Sequence, residues 1–187
     1  MKPVVREELL DWMTYDERRD TIRTQVLAIK ESRRIIVGGI FTFLFENRDT
    51  VRYQVQEMMR TERIVREADI EHELATYNDL LGGPGELGCT LLVGIDDERE
   101  RDDKLRRWLA LPAHLWARKS DGTLVRPSFD PRQVGDTRLS SVQYLKLELG
   151  ERSPVAVGID LPDFAVQTTL TDAQRAALDD DLAASRA

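Results

Sequence analysis

Ionic side chains crowd one segment of the chain, Phe45-Glu-Asn-Arg-Asp-Thr-Val-Arg-Tyr-Gln-Val-Gln-Glu-Met-Met-Arg-Thr-Glu-Arg63. At about 100° per residue, Val51, Val55, Met58 and Met59 form an apolar stripe along a helix over 48–65, with Glu62 at its centre and Arg48 at its edge. A charge on a core-facing stripe is costly unless it is paired. Arg48 and Glu62 cannot pair with each other, since the helix between them holds them roughly 21 Å apart. Each needs a counterpart elsewhere, which makes them the strongest local anomaly in the sequence. Arg52, Gln56 and Arg63 share a neighbouring face, and Asp49, Tyr53, Glu57 and Arg60 share the far side. Two readings stand. A carboxylate or guanidinium of this helix is held inside a pocket and the neighbouring faces recognise an anion, or these groups are surface pairs such as Glu57 with Arg60, worth roughly a few tenths of a kcal/mol. In the second reading Glu62 swings into water at the helix end.

A second polar region runs from Asp130-Pro-Arg132-Gln133 through Arg138 to Gln143-Tyr144. It is irregular and lies beside a strand. It either rims a ligand site, with Arg132 and Arg138 as anion contacts and Tyr144 at the rim, or is a solvated connection. Metal chemistry has thin material. The two histidines are His72 and His114. Asp69-Ile-Glu-His72 has helix spacing for two ligands, but a bundle di-metal site needs a second such motif, which is missing. His72 points away from the apolar stripe of its helix, and His114 suits a half-buried structural role. No metal site and no cofactor is expected. A carboxylate-rich site built on the 48–63 helix from Glu57 and Glu62 with Glu73 or His72 remains the rival. There is no G-x-S-x-G elbow, no Walker loop and no G-x-G-x-x-G.

The elements that must position these groups follow from periodicity. Glu7–Asp16 reads as a short helical turn and Glu17–Ser32 as a helix. Ile35–Val37 and Ile40–Phe45 pair across Gly38-Gly39. Asn47 caps the 48–65 helix, and Glu67–Asp79 is a second helix carrying Ile70, Leu74 and Tyr77. Glu86–Ile95 is a strand, Asp96–Leu111 a charged helix, and His114–Lys119 with Thr123–Pro127 a hairpin. Leu139–Leu149, Ser153–Ile159 and Phe164–Leu170 are strands. Thr171 and Gln174 have the capping-box spacing of a final helix, whose Asp179-Asp180-Asp181 cluster reads as a solvated face. Helices do not alternate regularly with strands, so the expected fold is α+β, a mainly antiparallel sheet with helices packed on one face, in a single domain over 1–187.

The 187 residues carry 27 basic and 34 acidic groups, a net charge of −7. That balance argues against nucleic acid and anionic lipid as partners. The single cysteine, Cys89, sits in an apolar run, excludes an internal disulfide and reads as a small buried hydrophobe. The first residues have no apolar core of the signal-peptide kind, and no apolar run reaches membrane-spanning length, so the cytoplasm is the expected location.

The segment Phe45–Glu57 with Arg60 and Glu62-Arg63, then Tyr77-Asn78, then Ser141-Val-Gln-Tyr-Leu145, resembles a bacterial domain-of-unknown-function family. Its genes are often found beside a rubrerythrin and a heterodisulfide-reductase-like iron–sulfur protein. The likeness runs from about Leu9 to Leu149. The resemblance implies a redox or oxidative-stress context and a redox protein partner, by genomic company alone. The combined expectation is a non-catalytic accessory or ligand-binding protein, with a homodimer as a further expectation. Its ligand-binding groups would be Arg48, Arg52, Glu57, Arg60, Glu62, Arg132, Arg138 and Tyr144. The rival is a metal-dependent enzyme using the carboxylates of the 48–63 helix.

Overall fold

The computed structural model describes residues 1–186; Ala187, the last residue of the expected 1–187 domain, lies outside the described residues. Antiparallel hairpins set the framework. In the first, β1 (Arg34–Val37) pairs with β2 (Phe41–Phe45) across Gly38 and Gly39, whose φ angles of 59° and 78° suit the tight left-handed turn that glycine permits. The helix α1 (Trp12–Glu31) precedes it. The expected turn divides: Arg6–Glu8 is a separate 3₁₀ turn, and the part from Trp12 onward joins the expected helix, because the Asp11 carboxylate accepts from the Met13 and Thr14 N–H groups and starts the helix early.

After β2, the Asn47 side chain accepts from Thr50 N–H at 3.0 Å while Thr50 Oγ1 accepts from Asn47 N–H at 2.9 Å, which launches α2 (Arg48–Glu62). Arg63, at φ 53°, ends α2 in the left-handed conformation, short of the expected Val65. Next come α3 (Glu67–Asn78), β3 (Glu86–Val93), α4 (Glu98–Arg107), β4 (Leu115–Arg118), β5 (Leu124–Val125), β6 (Val142–Glu148), β7 (Ala156–Leu161), β8 (Phe164–Thr169) and α5 (Asp172–Arg186).

The strands divide into two sheets of order β1-β2-β3-β6 and β5-β4-β7-β8, every pairing antiparallel. The fold is therefore α+β, with two sheets where periodicity alone pointed to one. Alternation decides the layering. Odd-numbered residues of β2, β3 and β6, such as Phe43, Cys89, Leu91 and Leu145, enter one core with Leu115, Val157 and Ile159 of the second sheet. To this core α4 adds Leu105, and α5 adds Leu178 and Leu182. Trp108 stacks at 5.3 Å from Phe41 and 5.7 Å from Phe164, contacts worth about 0.5–1.5 kcal/mol each beyond area burial.

The even face of the first sheet meets the helices. A Cβ at Gly88 would lie 1.7 Å from Leu80 O, so only glycine lets the chain after α3 settle on β3. The helices hold a second apolar cluster, Val51, Val55, Met59, Ile70 and Leu74, joined by Val4 and Leu9 from the N-terminal arm. Among the described residues, no helix is long and apolar enough to cross a membrane.

The aspartate cluster of α5 departs from expectation. Asp180 is exposed, but Asp181 is buried: Arg33 Nε and Nη2 donate to its two oxygens at 2.7 and 3.0 Å, and Asn47 Nδ2 donates at 3.4 Å. Positions 178, 181, 182 and 185 share the buried helix face, so Asp181 is carried inward with the leucines and depends on Arg33 for its counter-charge. Asp179 accepts from Ser153 N–H at 2.7 Å.

Candidate functional site

Arg48, Arg52 and Arg60, the arginines of the charged helix expected to hold a ligand, are each engaged by their own chain. Arg48 donates to Glu8 and to the Pro3 carbonyl. Arg52 meets Asp49 at 2.8 Å, and Arg60 meets Asp16 at 2.5 Å. The Glu57 carboxylate takes a two-pronged contact from Arg19 (2.8 and 2.7 Å) and the Tyr15 hydroxyl at 2.6 Å, rather than pairing with Arg60. The Arg19 contact chiefly holds the Glu57 pKa below the usual carboxylate range, against the opposing effect of burial. Burial, with Glu57 beside it, pushes the Tyr15 hydroxyl up. Glu62 is exposed as the last residue of α2. Glu57, Glu62 and His72 do not converge, and among the described residues no group of three or more His, Cys, Asp or Glu side chains is placed to hold a metal ion.

The buried carboxylate of this segment is instead its neighbour Glu46, 1% exposed. The Thr50 and Thr90 hydroxyls donate to its two oxygens at 2.6 and 2.8 Å. Lys30 lies near enough to feel its charge; burial lowers the Lys30 pKa and Glu46 opposes that shift. Glu46 sits on the even face of β2 and ties β3 to α2. Strand alternation carried this signal: Glu46 follows Phe45 onto the face that α2 covers.

A distinct concavity lies elsewhere, between the C-terminal end of α3, the strand β6 and a strap at 128–133. Its volume is about 480 Å³. Thr76, Tyr77, Asp79 and Leu80 form one wall, Tyr144 and Lys146 rise from β6, and Phe129, Asp130 and Gln133 form the strap side. Tyr144 is 48% exposed. Burial raises the Tyr77 hydroxyl pKa, with Glu73, Tyr144 and Glu62 adding to the shift, so the two tyrosines and two carboxylates share one electrostatic neighbourhood. Lys146 Nζ contacts Asp79 at 3.5 Å. Cys89 contributes to the floor, but its thiol is buried and burial pushes its pKa well above the ordinary value, so it is no nucleophile near neutral pH.

The strap is tied to β6 at two points. Ser128 and Lys146 exchange both backbone hydrogen bonds, at 2.8 and 2.9 Å. Then the Gln133 carboxamide takes over: Tyr144 N–H donates to Oε1 at 2.8 Å and Nε2 donates to Tyr144 O at 2.9 Å. Asp130 accepts from Arg132 N–H at 2.9 Å, opening a short 3₁₀ turn, and the Arg132 side chain folds back on the same carboxylate. Arg138 pairs with Asp102 at 2.8 Å.

Of the eight expected ligand-binding residues, Tyr144 alone lines this groove; Arg132 stands on its strap, and the other six lie outside the lining. Tyr77, Phe129 and Lys146 were not read as site residues, and Gln133 entered only as part of the polar 130–144 region read as a ligand rim or a solvated connection. Tyr77 and Tyr144, both within segments that carry the resemblance, are brought to one groove because the C-terminal end of α3 meets β6 there.

Comparison with known proteins agrees with the fold. The profile of the family described as Protein of unknown function (DUF3501) matches residues 3–182, a wider span than the 9–149 that carries the resemblance. A crystal structure at 1.90 Å resolution, described as a novel protein of unknown function from Burkholderia pseudomallei K96243, is similar at a TM-score of 0.88 and 30% identity, covering 97% of this chain and 100% of that chain. No curated protein matches. Together with the near-complete span of the profile, this makes the chain a member of the DUF3501 family of proteins of unknown function.

Proposed function

We propose that this protein is a ligand-binding accessory protein whose site is the groove between α3, β6 and the 128–133 strap. The observation that carries the reading is the groove itself: two tyrosines and Phe129 offer apolar surface beside Lys146, Asp79 and Gln133, a mixture suited to orienting an organic ligand rather than to covalent chemistry. Arg48, Arg52 and Arg60 each already pair with a carboxylate of the same chain, so the anion-holding role first expected of them moves to second place. The redox context rests on the resemblance and on nothing in the groove; a rubrerythrin-like or iron–sulfur protein remains the proposed partner.

Ligand-observed NMR with a library of small aromatic fragments tests the site. Fragments that bind the wild type and lose binding in both Tyr77→Ala and Tyr144→Ala are expected. Fragments that bind all three proteins equally, or bind none, reject the groove.

A further inference from the structure

Three carboxamides of this chain grip backbone in one way. Val4 N–H donates to Asn78 Oδ1 at 2.8 Å while Asn78 Nδ2 donates to Val4 O at 2.9 Å. Leu10 N–H donates to Gln56 Oε1 at 2.7 Å while Gln56 Nε2 donates to Leu10 O at 3.1 Å. In both cases a helix holds a separate stretch of chain through the donor and acceptor of one residue. Gln133 repeats the grip on Tyr144, but there the gripped residue belongs to β6, the edge strand of its sheet.

The register shows what Gln133 replaces. The Ser128–Lys146 bridge is antiparallel, so a continuing ladder would set residue 130 opposite Tyr144. The strap instead leaves the edge at the 3₁₀ turn Pro131–Gln133, and a side-chain amide returns to fill the place of a strand residue. The opposite edge of the sheet, β1, is covered from β8 and α5, where Thr168 Oγ1 donates to Ile36 O at 2.8 Å and Gln174 Nε2 to Arg34 O at 3.0 Å.

We propose that the β6 edge at Tyr144 is a docking site for an extended peptide segment of a partner protein, which displaces the Gln133 carboxamide, pairs backbone to backbone with Tyr144 and sets an apolar side chain in the groove. The proposal rests on the ligand-site reading of the groove and names the class of ligand. A residue opposite Tyr144 projects its side chain to the same face of the sheet as Tyr144, which is the face that α3 and Tyr77 border. Tyr77, Phe129 and Leu80 line the space it would enter. An aliphatic or aromatic residue at that position is the recognition element; the exchange of a carboxamide for a peptide group conserves both hydrogen bonds. A second copy of the chain is the poorer occupant, because β6 paired with β6 requires two straps to leave at once.

The test uses the full-length protein and a displayed library of random linear peptides, panned on wild type and on Gln133→Ala. Enriched peptides sharing an apolar residue are expected, with affinity measured by fluorescence anisotropy about tenfold tighter for Gln133→Ala, where no side chain competes for the edge. N-methylation of successive peptide amides is expected to abolish binding at alternate positions, the signature of strand pairing. No enrichment on either protein, or binding indifferent to which amide is methylated, overturns the proposal. So does a Gln133→Ala protein that self-associates on gel filtration without taking peptide, which would make Gln133 a guard against aggregation. If aromatic fragments still occupy the groove while peptides fail, the ligand site stands and the peptide class falls; loss of both rejects both.

Discussion

In the arm, Asn78 and Gln56 grip Val4 and Leu10, and the residues between them drive Val4 and Leu9 into the helical cluster, leaving them 2% and 6% exposed. In the strap, Gln133 grips Tyr144 with equally good geometry, yet Asp130, Pro131 and Arg132 are exposed and Phe129 is only half-buried. The hydrogen bonds are alike; the apolar anchoring is not. Water competes for the bonds of the strap far better than for those of the arm, whose Gln56 is 4% exposed. The same device thus fixes one segment as part of the core and leaves the other tethered to an edge strand. A carboxamide grip alone says little about stability until the burial around it is known.

The difference can be broken most forcefully at the arm's anchor. Leu9→Ala is expected to lower unfolding free energy by about 2–4 kcal/mol in urea melts, the ordinary cost of truncating a buried leucine. A loss under about 1 kcal/mol would put the arm on the same footing as the strap. Gln56→Ala should cost about 1–3 kcal/mol, because it strands the donor and acceptor of Leu10 in a partly buried place. Acid should loosen the arm further. The backbone bond from Val5, then Arg48, holds the Glu8 pKa below its ordinary 4.5, so this contribution is present above that value and is lost as pH falls through the lower folded pKa. Hydrogen exchange corrected for intrinsic rate should therefore show Val5 losing protection at acid pH in wild type but not in Glu8→Gln, where protection is already low; identical profiles would exclude Glu8. The smallest effect belongs to Gln133→Ala, about 0.5 kcal/mol or less on the melt, with faster exchange at Tyr144 N–H. A cost matching that of Gln56→Ala would show that the strap is a structural element and not a displaceable one.

The candidate site was less legible in the sequence than the fold. The helix over Arg48–Glu62 was singled out for its charges, and those of Arg48, Glu57 and Arg60 turn out to be answered from the N-terminal arm and α1, by Glu8, Arg19 and Asp16, while Arg52 pairs with Asp49 of its own helix. Helical spacing reports which face a side chain occupies, but not that α1 would lie alongside to supply the counter-charges. Glu62 shows the same limit: its angle belongs to the apolar stripe, yet the helix ends there and the core has stopped. The polar 130–144 region was read as a ligand rim or a solvated connection, but the α3 wall of the groove escaped notice, because Thr76–Leu80 lies far from it in the chain and is unremarkable by itself.

Local pattern determined by itself what local physics controls: the caps at Asn47 and Thr171, the two-glycine turn, the alternation of β3 and β6, and the burial of Cys89. These depend on backbone geometry and on side chains within a few residues. Tertiary structure alone decided that the strands form two sheets, that Asp181 finds Arg33 across 148 residues of chain, and that Gln133 substitutes for a strand beside Tyr144. Such pairings are set by which surfaces pack together, and a residue's own neighbours in sequence carry no record of that choice.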